Sequence, residues 1–146
     1  MTASIQRPVL ALAAFAAALA FAAPAMAAMV NMKATLKGSN EVPPNDSKGT
    51  GSVDVTYDTA TNKLNWKGTY SGLSGPATAA HFHVGPPGKN GGIAVPIFAG
   101  STGKSPFQGS ATLSASQAAA LTDGNLYVNV HTNNHKAGEI RGQVLK

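Results

Sequence analysis

The chain has 146 residues, a net charge of +5 and no cysteine, and only 12% of its side chains are charged. That length suits one domain with a modest core, and the basic residues are scattered singly from Lys33 to Lys146, without the concentrated stripe that a nucleic-acid groove needs. The absence of cysteine excludes disulfide staples, thiolate metal sites, iron–sulfur clusters, a blue-copper centre and a cysteine nucleophile.

The N-terminal segment differs in composition from the rest. Residues Pro8 to Asn31 carry no charge and are dominated by alanine. Arg7 supplies a positive start, Val9 to Ala23 an apolar run, and Pro24-Ala25-Met26-Ala27 a small-residue cleavage pattern, so residues 1–27 are expected to be a signal peptide and residues 28–146 the mature domain. A retained membrane anchor would need about 20 strongly apolar residues. Pro24 and the weak hydrophobicity of alanine favour cleavage, leaving no membrane span. Export of a chain without disulfides points to a periplasmic or secreted location.

The remainder reads as short strands and turns. Alternation places Met32, Ala34 and Leu36 on one face of Val30 to Leu36, and Val53, Val55 and Tyr57 on one face of Ser52 to Tyr57. Leu64, Trp66, Gly68 and Tyr70 continue the period of two, after a hairpin loop at Asp58 to Asn62. Further strands are expected at Thr78 to Val84, Ile93 to Phe98, Phe107 to Leu113, Leu126 to Thr132 and Glu139 to Leu145. Ser114 to Leu121 reads as a short helix with Ser114 as its N-cap and Gly124 just past its end. The fold class is therefore all-β, an antiparallel Greek-key β-sandwich with one short helix.

The four histidines fall in two pairs. In Ala79 to Val84, alternation puts Ala80, Phe82 and Val84 on one face and His81 and His83 on the other. Same-face neighbours lie roughly 6.5 to 7 Å apart at Cα, a spacing from which two imidazoles can converge on one metal with bonds of about 2.0 Å. In Leu126 to His131, Leu126, Val128 and Val130 form the apolar face, leaving Tyr127, Asn129 and His131 opposite. His135 follows in a loop that can fold back toward them. Asn129 and Glu139 are candidates to accept an imidazole N–H, although an ion pair with Arg141, two residues on, is the favoured role for Glu139. The glycine-rich Gly85 to Gly92 lacks the setting of a phosphate loop and reads as a shaped turn. No Gly-x-Ser-x-Gly elbow or obvious carboxylate pair nominates a hydrolase.

Several of these stretches together resemble a CHRD domain, the module named after chordin: Asn40-Glu41-Val42-Pro43-Pro44, Thr78 to Gly85, Leu126 to Thr132, and Gly138 to Gln143. The resemblance spans nearly all of residues 28–146. It implies a secreted module of the kind that also occurs free-standing in bacteria. Chordin itself binds extracellular growth factors, while the stand-alone bacterial members imply no settled activity. His81, His83 and His131 match the family pattern. His135 stands where that pattern usually has a different residue, which makes it an optional fourth. The His-x-His strand is also similar to the copper-binding strand of Cu,Zn superoxide dismutases, themselves Greek-key sandwiches, so the fold is expected to be distantly superoxide dismutase-like, an analogy of fold and spacing.

These readings lead to an expected metal site of His81, His83, His131 and His135, with Asn129, Glu139 and Arg141 around it. Copper is favoured by the Irving–Williams order and zinc is the alternative. A metal-free extracytoplasmic interaction or adhesion module is the competing expectation. A copper-dependent, superoxide dismutase-like oxidoreductase is the third.

Overall fold

The computed structural model describes residues 26–99 and 103–146. The expected signal peptide lies almost wholly outside them. No helix among the described residues is long and apolar enough to cross a membrane.

Eight strands form: β1 (Met29–Lys37), β2 (Thr50–Asp58), β3 (Lys63–Ser71), β4 (Ala77–Val84), β5 (Ile93–Ala99), β6 (Phe107–Thr112), β7 (Leu126–Thr132) and β8 (Ile140–Gln143). Among the described residues one α-helix, α1 (Ala115–Thr122), sits between β6 and β7, and a single 3-10 turn, Gly38–Asn40, follows β1. All pairings are antiparallel, in the order β5-β4-β7-β8-β1-β2-β3-β6. The two expected sheets are therefore continuous. β8 meets β1 at Lys37 opposite Arg141, and the segment after it adds the isolated bridge Lys33–Leu145, which together stitch two four-stranded halves along one side. On the other side the edge strands β5 and β6 approach each other, with Phe98 and Phe107 rings 5.8 Å apart. The β3-to-β4 and β6-to-β7 connections skip over this seam, giving the Greek-key path.

The alternation of apolar residues builds the core. Met32, Ala34 and Leu36 of β1, Val53, Val55 and Tyr57 of β2, and Leu64 and Trp66 of β3 all point inward and are buried. Ala80 and Phe82 face them from β4, and Trp66 meets Phe82 edge-on at 5.2 Å, joining the two halves. Val84 departs from its expected place on this face: it is 38% exposed, because β4 ends there and the chain leaves the core.

Local chemistry fixes the ends of the elements. Asn62 adopts a left-handed φ of 57° in the β2–β3 turn, where Asp58 accepts from the Ala60 N–H and the Thr61 hydroxyl. α1 begins with a complete capping box: Ser114 Oγ accepts from Gln117 N, and Gln117 Oε1 from Ser114 N. Its Ala118 and Leu121 join the core.

The outer face of β4, β7 and β8 is unusual for an antiparallel sheet, because it too is covered. Tyr127, Asn129 and Arg141 are buried there, under the β1–β2 connection from Gly38 to Gly49 and the β4–β5 connection from Gly85 to Gly92. Asn90 ties the two connections together by donating to Val42 O at 2.7 Å. This covered polar face is where the histidines lie.

Candidate metal centre

The strand ladder decides which side chains meet. β4 and β7 pair with His83 opposite Tyr127, His81 opposite Asn129 and Ala79 opposite His131. His131 is thus the diagonal neighbour of His81 on the outer face. Alternation along β4 puts both imidazoles on that face, while the β4–β5 register shifts between Ala80 and His81 and between Phe82 and His83.

One ring nitrogen from each of His81, His83 and His131 lies within 4.8 Å of the others. His81 Nδ1 and His131 Nε2 are 3.2 Å apart. This contact is a hydrogen bond in which His81 Nδ1 donates to His131 Nε2, since His131 carries its own proton on Nδ1; two nitrogens bound to one ion by bonds of about 2.0 Å would also stand roughly 3 Å apart, so an ion would take this place once the His81 proton moves to its Nε2. His131 Nδ1 donates to Lys136 O and His83 Nδ1 to Gly91 O, each at 3.0 Å. A carbonyl can only accept, so in both neutral rings Nδ1 carries the proton and Nε2 keeps its lone pair. His83 Nε2 is buried without a hydrogen-bond partner.

The electrostatics keep these rings neutral. Burial lowers the pKa of all three from the ordinary imidazole value; for His81 the neighbouring His131 and His83 add to the effect. His83 is also opposed by the positive charge of Arg141, while its bond to Gly91 O works the other way.

His135 is not brought into the converging set. Its backbone N–H donates to Thr132 Oγ1, and its carbonyl accepts from Gly138 N, so it shapes the loop that follows β7.

The surrounding residues play other parts than those expected. Asn129 and Glu139 do not receive imidazole N–H groups; the carbonyls of Gly91 and Lys136 do, because the flanking loops fold over the rings. Asn129 instead donates to Glu41 Oε2 at 3.3 Å. The expected Glu139–Arg141 ion pair is absent. Glu139, fully buried, accepts from Ser47 Oγ, Ser74 N, Ser74 Oγ and Thr132 Oγ1 at 2.6 to 2.8 Å. Burial alone would raise its pKa, but these four donors outweigh it and hold the carboxyl below its ordinary value. Arg141 gives its hydrogens to Asn90 Oδ1, Pro86 O and Lys89 O, with its guanidinium carbon 3.5 Å from the centre of the Tyr127 ring. Both buried charges are thus solvated by neutral groups, most of them from segments that the sequence places far away.

Glu41 and Tyr127 are the participants that sequence reasoning did not assign to the site. Glu41 is 6% exposed, and burial pushes its pKa up to about 7 against the opposing pull of Arg141 and Asn129. The signal for Glu41 was its place in the Asn40 to Pro44 motif; that for Tyr127 was its shared face with Asn129 and His131.

Residues 32–144, which include every residue of this face, match the CHRD domain family. The chain belongs to the CHRD family. No curated protein and no solved structure shows significant similarity to it. The expected distant likeness of fold to Cu,Zn superoxide dismutases is therefore not confirmed. Within this CHRD domain, His81, His83 and His131 are the histidines that converge, and they form a group able to hold a metal ion.

Proposed function

We propose that this is an exported single-domain CHRD protein that binds a transition metal, copper ahead of zinc, through His81, His83 and His131. The observation that carries the reading is the buried, unpartnered Nε2 of His83 beside the facing nitrogens of His81 and His131. A buried nitrogen left without a partner costs about 1–3 kcal/mol; a metal ion would use that lone pair. The donor set is three neutral imidazoles with carbonyl-fixed tautomers at His83 and His131, a set that suits copper and zinc. His135 has the loop position from which a rearrangement would be needed to add a fourth ligand. A copper oxidoreductase is the form this reading takes if the remaining coordination position admits a small substrate. Export is supported by the N-terminal pattern of Arg7, the apolar run and the small-residue cleavage pattern.

The competing reading, a metal-free interaction module, would leave His83 Nε2 buried without a partner, and we prefer the metal on that ground. Calorimetric titration with Cu²⁺ and Zn²⁺ separates the two. Saturable binding that a His81→Ala/His83→Ala variant loses supports the metal site; equal binding by wild type and variant rejects it.

A further inference from the structure

The charge around the three imidazoles says which ion they suit. Among the described residues, no carboxylate lies within 4 Å of the Arg141 guanidinium, whose partners are two carbonyls and an amide oxygen. Arginine keeps its charge at any ordinary pH, so this is a permanent buried cation. Its guanidinium carbon is 3.5 Å from the Tyr127 centroid, and that ring is stacked on His83, centroids 5.0 Å apart and planes 8° from parallel. One aromatic ring thus connects the cation to a candidate ligand. Neither Glu41 nor Glu139 joins the converging nitrogens, so no anionic donor offsets an incoming charge. The converging set is three-membered, a number that a d¹⁰ monovalent ion accepts outright and that zinc also accepts when water fills a fourth position, so the discrimination rests on charge rather than on ligand count.

We infer that the centre favours Cu(I) over Cu(II) and Zn(II), because three neutral imidazoles receive the ion beside a buried, unneutralised guanidinium. Coulomb repulsion from a fixed cation grows with the charge of the ion, so it disfavours a divalent ion more than a monovalent one. The interior position of Arg141, 2% exposed, protects the effect from screening by salt. Burial pushes the carboxyl of Glu41, packed against Asn129, up to about 7, so at pH 6.5 it is mostly protonated and offsets only part of the field of Arg141, to which its charged form is attracted. The inference rests on the metal-binding reading above and goes beyond it in naming the oxidation state, which changes what the protein would do: it would hold or deliver reduced copper.

The test uses purified protein at pH 6.5 under argon, with a chromophoric Cu(I) chelator as competitor, alongside aerobic titrations with Cu²⁺ and Zn²⁺. Wild type is expected to bind Cu(I), and Ag(I) as its redox-inert substitute, more tightly than either divalent ion. Arg141→Gln should shrink the Cu(I)-to-Cu(II) affinity ratio about tenfold, which is a fall of about 59 mV in reduction potential. Arg141→Lys, which keeps the charge, should restore most of it. Tighter binding of Cu²⁺ or Zn²⁺ by wild type overturns the inference while leaving the histidine site standing, and that comparison needs no variant to fold. A folded Arg141→Gln protein with an unchanged ratio overturns it as well. Failure of every ion to bind removes the metal reading and this inference together.

Discussion

His83 and Tyr127 lie face to face across the β4–β7 ladder, ring planes 8° from parallel and centroids 5.0 Å apart. Tyr127 also accepts from the Gly91 N–H through its hydroxyl, and Gly91 O receives the His83 Nδ1 proton. One side chain therefore holds both the ring and the loop carbonyl that orients it. Tyr127→Phe should keep the stack and lose about 1 kcal/mol of stability with the hydrogen bond. Tyr127→Ala should cost about 3–5 kcal/mol, as large aromatic truncations in packed sites do. Urea unfolding of the two variants checks the ordering.

Glu139 anchors the segment after β7 that places Lys136 O against His131. Because its carboxyl is held below the ordinary value, the stabilisation it supplies is present above about pH 4.5 and is lost as pH falls through the folded-state value. Glu139→Gln should therefore weaken the neutral-pH protein and flatten the acid limb of its stability curve. Melting curves collected from pH 7 down to pH 3 would show both effects, and an unchanged acid limb would count against this role.

Glu41 acts in the opposite direction. Its folded-state pKa of about 7 lies above the ordinary 4.5, so the folded chain keeps a proton that the unfolded chain has released across that interval. Its contribution to stability therefore falls as pH rises from 4.5 to 7 and levels off above, by about 3 kcal/mol in all. The three histidines oppose this trend: with folded values below the ordinary 6.5, they cost stability as pH falls through that value. Comparing wild type with Glu41→Gln isolates the carboxyl, because the histidines are common to both. The variant should gain stability relative to wild type as pH rises from 4.5 to 7, with no further gain above. Urea unfolding across that range measures the difference, and one that does not change with pH would contradict the assignment.

Gly138 has φ at +142°, and a Cβ there would run into the Asn129 amide and come within 2.7 Å of Glu41 Oε1. Both the backbone conformation and the space exclude a side chain. Gly138→Ala should cost more than about 2 kcal/mol, measured by chemical denaturation, whereas Gly92→Ala, where a Cβ meets nothing within 4 Å, should be close to neutral.

The strands that face solvent on one side were readable from alternation alone. β1, β2 and β3 have their inward residues where a period of two puts them, because their outer faces remain polar and wet. β7 was only half readable. Its apolar face was clear, but Tyr127 and Asn129 are buried by loops that return from residues 38–49 and 85–92, and local pattern carries no record of that return. The members of the histidine triad were legible because each sits on the non-apolar side of its own strand; that β4 and β7 lie side by side and bring them together is visible only in the structure. Glu41 was not legible, since its partner Asn129 is 88 residues away. The Glu139–Arg141 pairing failed for a related reason: residues two apart can share a strand face, yet each found better-placed partners in distant loops.

The central claim is that His81, His83 and His131 bind one metal ion together. X-ray absorption at the copper edge of the loaded protein tests it most directly. The account predicts about three imidazole nitrogens at about 2.0 Å, with a His83→Ala variant losing one of them. A first shell of oxygen with fewer than two imidazoles, unchanged in that variant, would contradict it.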